Sequence, residues 1–177
     1  SSLLGNIWNT SNVTDMSSMF EGCISLTDPP DINTKNVETM TNMFSGCIAL
    51  ASPPAFITNK VTTMENMFEM CQKLTDPPEF NTASVEFMNG MFLGCFALTE
   101  PPTDYDTEKV QTMAGMFMEC HNLKQPPSFN TKNVEDMTAM FSGCLNLTRP
   151  PQFDTSNVRD MSHMFNGCRN LTSRLDF

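Results

Sequence analysis

Long apolar runs are missing from this chain, and basic residues are scarce. No stretch stays apolar over the roughly 20 residues that a membrane-spanning helix needs, so we expect no membrane insertion by this segment. Ten Lys and Arg stand against twenty Asp and Glu, which gives a formal net charge of −10. A surface of that sign repels phosphate backbones and therefore argues against nucleic acid as a partner.

Sequence motifs typical of catalysis, metal binding and phosphate binding are missing as well. The sequence has two histidines, no C-x-x-C pair, no phosphate-binding loop and no nucleophile placed beside a base. The seven cysteines are an odd number, and we expect them to be free, buried thiols rather than disulfides or metal ligands. We therefore predict that the chain is not an enzyme and needs no cofactor.

What the chain does contain is one unit written seven times. The pattern V-x-x-M-x-x-M-F-x-x-C-x-x-L recurs with its six fixed positions unchanged, from Val13 in the first copy to Leu171 in the last. Its cysteines are 24 residues apart except for one 25-residue step: Cys23, Cys47, Cys71, Cys95, Cys120, Cys144 and Cys168. A fixed period of this size predicts a solenoid, and its unbroken run predicts one repeat domain over residues 1–177. The partial copy at the start and the core-type Phe177 at the end suggest a segment of a longer protein.

Spacing within the unit predicts a short helix. The six fixed positions fall within an arc of roughly 140° at about 100° per residue, as on one face of a helix. Asn before the valine and an acid in the next turn resemble N-cap chemistry, and Gly before the cysteine resembles a helix stop. The fold class expected is therefore α/β, with each coil of about 24 residues carrying a short helix and a short extended segment.

A Pro-Pro pair follows each of the first six copies and accounts for all twelve prolines. Proline fixes φ and donates no N–H, so this stretch should be extended, as a short strand or polyproline II. An Asn/Asp-Thr turn comes next, as at Asn33-Thr34, where the side chains can bond the backbone locally. Helices on neighbouring coils would lie about 8–10 Å apart.

The V-x-x-M-x-x-M-F-x-x-C-x-x-L unit, with N-T-x-N-V before it, resembles the mycoplasma-type lipoprotein repeat, which belongs with the BspA-like leucine-rich repeats of microbial surface proteins. The resemblance covers the chain from about Trp8 to Phe177. It departs from the family where Leu-Thr-x-Pro-Pro replaces the usual L-T-S-L-D strand. The resemblance implies a right-handed solenoid of leucine-rich type, display at the cell surface or outside the cell, and adhesion or ligand binding.

Two surfaces break the repeat and are candidates for binding. The first, here called the apolar patch, consists of Phe87, Leu93 and Met118, which replace mostly polar residues of other copies above Gly90, Ala114 and Gly115. Exposed apolar patches mark interaction sites, and this one is a candidate for partner binding or self-association. Drift without function, or burial of these side chains, is the alternative.

The second surface, here called the proline edge, consists of the variable residues beside the Pro-Pro pairs. Fixed scaffolds with variable flanks are how repeat proteins carry recognition. Six acids make its N-terminal half negative: Asp28, Asp31, Asp76, Glu79, Glu100 and Asp104. They suit a basic partner or weakly held Ca²⁺, whereas a solvated polar edge without a ligand is the alternative.

These observations favour a non-enzymatic, surface-displayed recognition or adhesion module that binds a protein or glycan on a host or neighbouring cell. The alternative function is a passive spacer within a larger surface protein. The threonine repeated once per coil is better explained by turn capping than by an ice-binding face.

Overall fold

The computed structural model describes residues 8–172 and shows the predicted stack of seven coils. The repeated segments span 13–26, 37–50, 61–74, 85–98, 110–123, 134–147 and 158–171, and they are called coils 1 to 7 below. Within residues 8–172 no helix forms, and the β structure is limited to single parallel bridges between neighbouring coils. These bridges join Asp15, Thr39, Thr63, Phe87, Thr112, Asp136 and Asp160 in that order.

The predicted helix is replaced by a series of tight turns. In coil 2, Met43 N donates to Met40 O over 3.1 Å, and Cys47 N donates to Phe44 O over 2.9 Å. Between these donors, Asn42 N and Phe44 N donate instead to carbonyls of coil 3, at 2.9 Å each. A helix would keep every one of these bonds within its own segment. Here about half of the amides bond the next coil, so the stack itself is the hydrogen-bonded element.

Two residues in each coil have left-handed backbone, which excludes a continuous right-handed helix. In coil 2 they are Asn42, with φ of 56°, and Gly46, with φ of 74°. The glycine before the cysteine therefore lies inside the turn series rather than at a helix stop. The first left-handed position is filled by Ser18, Asn42, Asn66, Gly90, Gly115, Ala139 and His163.

The expected N-cap residues also have other roles. Asn36 Nδ2 donates to Ser11 O of the preceding coil over 2.8 Å, which makes the asparagine a rung between coils. Asp15 Oδ1 accepts from Ser17 N over 2.8 Å, a local turn whose hydrogen bonds to Ser17 lower the pKa of the Asp15 carboxyl.

The spacing between coils is that of a sheet rather than of packed helices. Rings of the repeated phenylalanine stack face to face, with centroids 5.3 Å apart from Phe20 to Phe44 and 5.7 Å apart from Phe44 to Phe68. Parallel strands lie about 4.8 Å apart, whereas packed helices lie about 8–10 Å apart. The expectation of helix-like spacing was therefore wrong, because the coils are joined by backbone hydrogen bonds.

The repeated apolar positions form the core, as predicted. In coils 2 to 6 the valine, both methionines, the phenylalanine, the cysteine and the leucine are all 0% exposed. Burying one such large side chain contributes about 1.5–3 kcal/mol relative to exposure. The predicted local turn after the prolines is confirmed as well, since Asn33 Oδ1 accepts from Lys35 N over 3.1 Å.

The threonine that recurs once per coil joins neighbouring coils through hydrogen bonds. Thr34 Oγ1 donates to Ile57 O over 3.0 Å and accepts from Ile57 N over 2.9 Å. Six such threonines are buried: Thr10, Thr34, Thr58, Thr82, Thr107 and Thr131. Buried hydroxyls cannot form an ice-binding face, so this ladder is structural.

Candidate functional site

A cleft lies on the proline edge where the repeat lengthens by one residue. It has a volume of about 480 Å³ and is bounded by the pairs Pro77-Pro78 and Pro101-Pro102. The extra residue follows Pro102, so that Thr103 and Asp104 both stand in the wall where the other connections have a single residue. We call this hollow the proline cleft.

Buried rings and prolines form the base of the proline cleft. Phe80 and Tyr105 line it and are 6% and 8% exposed, and Pro78, Pro101 and Pro102 are buried as well. Tyr105 stands where most coils have phenylalanine, and its hydroxyl donates to Pro78 O over 3.0 Å. Burial raises the pKa of the Tyr105 phenol well above its usual value, so the hydroxyl stays a donor and holds the two connections together.

Carboxylates form the rim. Asp76, Glu79 and Asp104 line the cleft and are exposed, and Glu100 is exposed directly before Pro101. The ion pairs found among residues 8–172 join Glu119 to His121, Glu108 to Lys132 and Glu135 to Arg159, so none uses a rim carboxylate. The structure therefore gathers four of the six predicted acids around one hollow without neutralising them.

The remaining two predicted acids lie elsewhere on the proline edge. Asp31 lines a separate depression of about 370 Å³ with Lys35 and Ile57, and Asp28 is exposed in the connection before it. Within residues 8–172 no three His, Cys, Asp or Glu side chains are close enough together to hold a metal ion. The carboxylates of the proline edge thus face solvent separately and do not form a Ca²⁺ cage.

A comparable hollow farther along the same edge has different chemistry. It has a volume of about 350 Å³ and lies between Pro126-Pro127 and Pro150. Its polar lining is Ser128, Arg149 and Gln152, with no acid. The scaffold therefore repeats the hollow and changes the charge of its rim from coil to coil.

The apolar patch is only partly assembled. Leu93 and Met118 occupy the same position in coils 4 and 5 and both lie near Gly115, where an added Cβ would be 3.9 Å from Met118 Cβ and 4.0 Å from Leu93 Cδ1. Phe87 lies at the bridge position between Thr63 and Thr112. All three predicted residues are half-buried. Gly90 and Gly115 are explained by their left-handed backbone rather than by a cavity floor.

One local cluster was missed by sequence reasoning. The ring of Phe96 stacks on the imidazole of His121, with centroids 4.8 Å apart and planes 4° apart. His121 Nε2 lies 2.7 Å from Glu119 Oε2. The sequence did contain a signal, because the residue after the cysteine is apolar or aromatic in five of the seven copies: Ile24, Ile48, Phe96, His121 and Leu145.

The thiols offer no reactive centre in the inner coils. All seven cysteines are free, and the five in coils 2 to 6 are buried as predicted, whereas Cys23 is exposed and Cys168 is half-buried. Each of those thiols donates to a phenylalanine carbonyl of the preceding coil, as Cys71 Sγ does to Phe44 O over 3.3 Å. Burial raises the pKa of Cys47 to about 11 and that of Cys71 to about 12, with a smaller contribution from the neighbouring thiol. They are therefore neutral at physiological pH and poor nucleophiles.

The family model described as "Mycoplasma protein of unknown function, DUF285" matches residues 3–79, 54–152 and 75–176. The chain belongs to this family. No curated protein matches the sequence. Within residues 8–172 the DUF285 chain also has no apolar helix of membrane-spanning length.

Two solved structures are similar to this chain. A leucine-rich repeat protein from Bacteroides ovatus is 20% identical with a TM-score of 0.63, over 88% of this chain and 39% of that one. A leucine-rich repeat protein from T. pallidum is 21% identical with a TM-score of 0.48, over 83% of this chain and 64% of that one. The first likeness shows that this DUF285 chain has a leucine-rich-repeat type of solenoid fold. The chain spans less than two thirds of the length of either protein.

Proposed function

We propose that this DUF285 solenoid is a non-enzymatic recognition module that binds a protein or glycan partner through its proline edge. The observation that carries the proposal is the proline cleft, a concave site with a buried apolar base and an unneutralised acidic rim. Concave, mostly apolar sites with a few polar groups are where proteins bind ligands. Leucine-rich repeats commonly mediate protein interactions, which supports a binding role.

Display at the cell surface is part of the same proposal. It rests on the resemblance of the repeat to microbial surface proteins. Protease treatment of intact cells tests it: we expect the repeat to be cleaved while a cytoplasmic marker survives. Cleavage only after lysis would contradict surface display.

Binding to host cells or extracellular matrix tests recognition. The variant carrying Glu79→Ala, Glu100→Ala and Asp104→Ala removes three exposed, unpaired carboxylates at the proline cleft. We expect its binding to fall about tenfold or more, which corresponds to about 1.4 kcal/mol. The control carries Glu21→Gln and Glu38→Gln, two exposed carboxylates outside the proline edge, and should bind as the parent does.

The apolar patch is tested in parallel by Leu93→Glu with Met118→Glu. A loss of binding or a change of oligomeric state in this variant alone would move the interaction surface from the proline edge to coils 4 and 5. If neither set of substitutions changes binding or assembly, recognition by these surfaces is wrong and the passive spacer is the better description.

A further inference from the structure

The proline cleft differs from an ordinary acidic surface in what it can offer a ligand. Four of its lining residues are prolines, which have no backbone N–H. The Tyr105 hydroxyl is already donating to Pro78 O. The rim carries the carboxylates of Asp76, Glu79 and Asp104, which are negatively charged and accept hydrogen bonds, together with the Thr103 hydroxyl.

An anionic cleft selects its ligand by complementarity of charge. A carboxylate, a phosphate or a sulfated glycan would meet like charge, which is costly once the groups are desolvated. An added β-strand would find no N–H groups at the four prolines and could not pair along the whole edge. A ligand rich in donors and positively charged satisfies both the hydrogen bonding and the charge.

The shape narrows the choice further. About 480 Å³ lies in the range of sites that hold a small ligand or a long side chain with its backbone. The apolar base formed by the prolines, Phe80 and Tyr105 suits an aliphatic stem, whereas the rim suits a charged head. Lysine and arginine combine those two parts, and arginine presents five donors in a planar fork.

We propose that the proline cleft captures an arginine or lysine side chain from an extended segment of a partner protein. The stem lies against Pro78, Pro101 and Pro102, and the cationic head lies between Glu79 and Asp104. This inference rests on the proposed recognition function and names the chemistry of the partner. The hollow beside Arg149 has a cationic rim and should not take such a ligand.

The sequence supplies a reporter for this test, because Tyr105 is the only tyrosine. In protein grown with ¹³C-labelled tyrosine, every ring signal comes from the base of the proline cleft. The probe is N-acetyl-arginine methylamide, and its control is the citrulline analogue, which has nearly the same shape without the charge. We expect saturable shifts of the Tyr105 signals with the arginine probe and binding at least tenfold weaker for citrulline.

Two double variants test which carboxylates bind the arginine probe. Glu79→Gln with Asp104→Asn should weaken the arginine probe at least tenfold, while Glu21→Gln with Glu38→Gln should leave it unchanged. Raising the salt from 0.05 to 0.5 M should weaken binding several-fold, because exposed charges are screened. The lysine analogue is expected to bind more weakly than arginine, since its compact head makes fewer hydrogen bonds.

Several outcomes would overturn the proposal. Equal shifts from arginine and citrulline would show an apolar hollow without charge recognition. Unchanged arginine binding in the Glu79 and Asp104 variant would place the probe elsewhere. Displacement of the arginine probe by Ca²⁺ at lower concentrations than the probe itself requires would assign the cleft to a metal ion.

The proposed recognition function and the proposed cationic ligand can be contradicted independently of each other. If the cell-binding variant of Glu79, Glu100 and Asp104 loses its partner but the arginine probe does not bind, recognition stands and the cationic ligand is wrong. If the arginine probe binds and the same variant keeps its partner, the cleft chemistry stands and the recognition site lies elsewhere.

Discussion

At the residue scale, left-handed backbone decides which side chains each coil tolerates. Among residues 8–172, seven residues other than glycine have positive φ, including Met70 at 58° and Glu119 at 60°. Both replace the glycine found before the cysteine in other coils, and each covers a glycine of the next coil: an added Cβ at Gly94 would meet Met70, and one at Gly143 would meet Glu119. The left-handed backbone at this position explains why the other five coils have glycine there.

Ala139 gives a direct test of this backbone. Its φ is 54°, a conformation that costs an L residue roughly 1–2 kcal/mol and costs glycine little. Ala139→Gly should therefore raise the free energy of unfolding by about 0.5–1 kcal/mol after the greater unfolded-state freedom of glycine is subtracted. The midpoint of urea unfolding, followed by circular dichroism, measures the change.

Ala49→Gly is the matched control. Ala49 is also half-buried within a turn, but it is not among the residues with positive φ. The same substitution should lower stability there by about 0.5–1 kcal/mol. Destabilisation of similar size at both sites would contradict the left-handed turn at Ala139.

At the element scale, the regular structure consists of hydrogen bonds between neighbouring coils rather than a helix within each coil. A series of turns closed by i to i+3 bonds repeats near every third residue, and so does a helix. The spacing of valine, methionine, phenylalanine and cysteine fits both, so periodicity correctly predicted the buried stripe and wrongly predicted the helix. The signals against a helix were Gly or Asn at two recurring positions and pairs such as Thr62-Thr63.

Substitution of Thr34 tests the hydrogen bonds between coils. Its hydroxyl exchanges two hydrogen bonds with the backbone of Ile57, and it is 2% exposed. Thr34→Val keeps the shape but removes the partner of the Ile57 N–H and C=O, which are only partly buried, so the free energy of unfolding should fall by about 1–2 kcal/mol. Thr34→Ser keeps the hydroxyl and should cost about 1 kcal/mol or less, mainly from the lost methyl group.

Hydrogen exchange of the Ile57 amide distinguishes the loss of its hydrogen bond to Thr34 from a general loss of stability. The amide should exchange faster in Thr34→Val than in Thr34→Ser when both are corrected for global stability. Equal protection in the two variants would show that the hydroxyl is not the partner of the Ile57 N–H.

At the scale of the whole molecule, stability depends on each coil having a neighbour on both sides. Phe92 is 0% exposed and stacks on Phe68 and Phe117 at 5.9 and 5.6 Å. Phe20 is 8% exposed, with a stacking distance of 5.3 Å to Phe44. In a solenoid the free energy is close to a sum over coils and the interfaces between neighbours.

Phe92→Ala should therefore lower the unfolding free energy by about 3–5 kcal/mol, the usual range for a buried phenylalanine. Phe20→Ala should cost less, because it opens a cavity beside a more exposed coil. Thermal unfolding of both variants measures the difference. Equal losses of unfolding free energy in the two variants would contradict the dependence of stability on the interfaces between neighbouring coils.

The sequence by itself determined the number of coils, their register, the buried stripe and the acidic character of the proline edge, because a strict period fixes which residues stack. It did not determine the conformation inside each coil. That was decided by hydrogen bonds between residues about 24 positions apart, which hold the turns at sheet-like spacing. The proline cleft needed the tertiary structure for the same reason: Asp76 and Asp104 lie on neighbouring connections, and only stacking brings them to one rim.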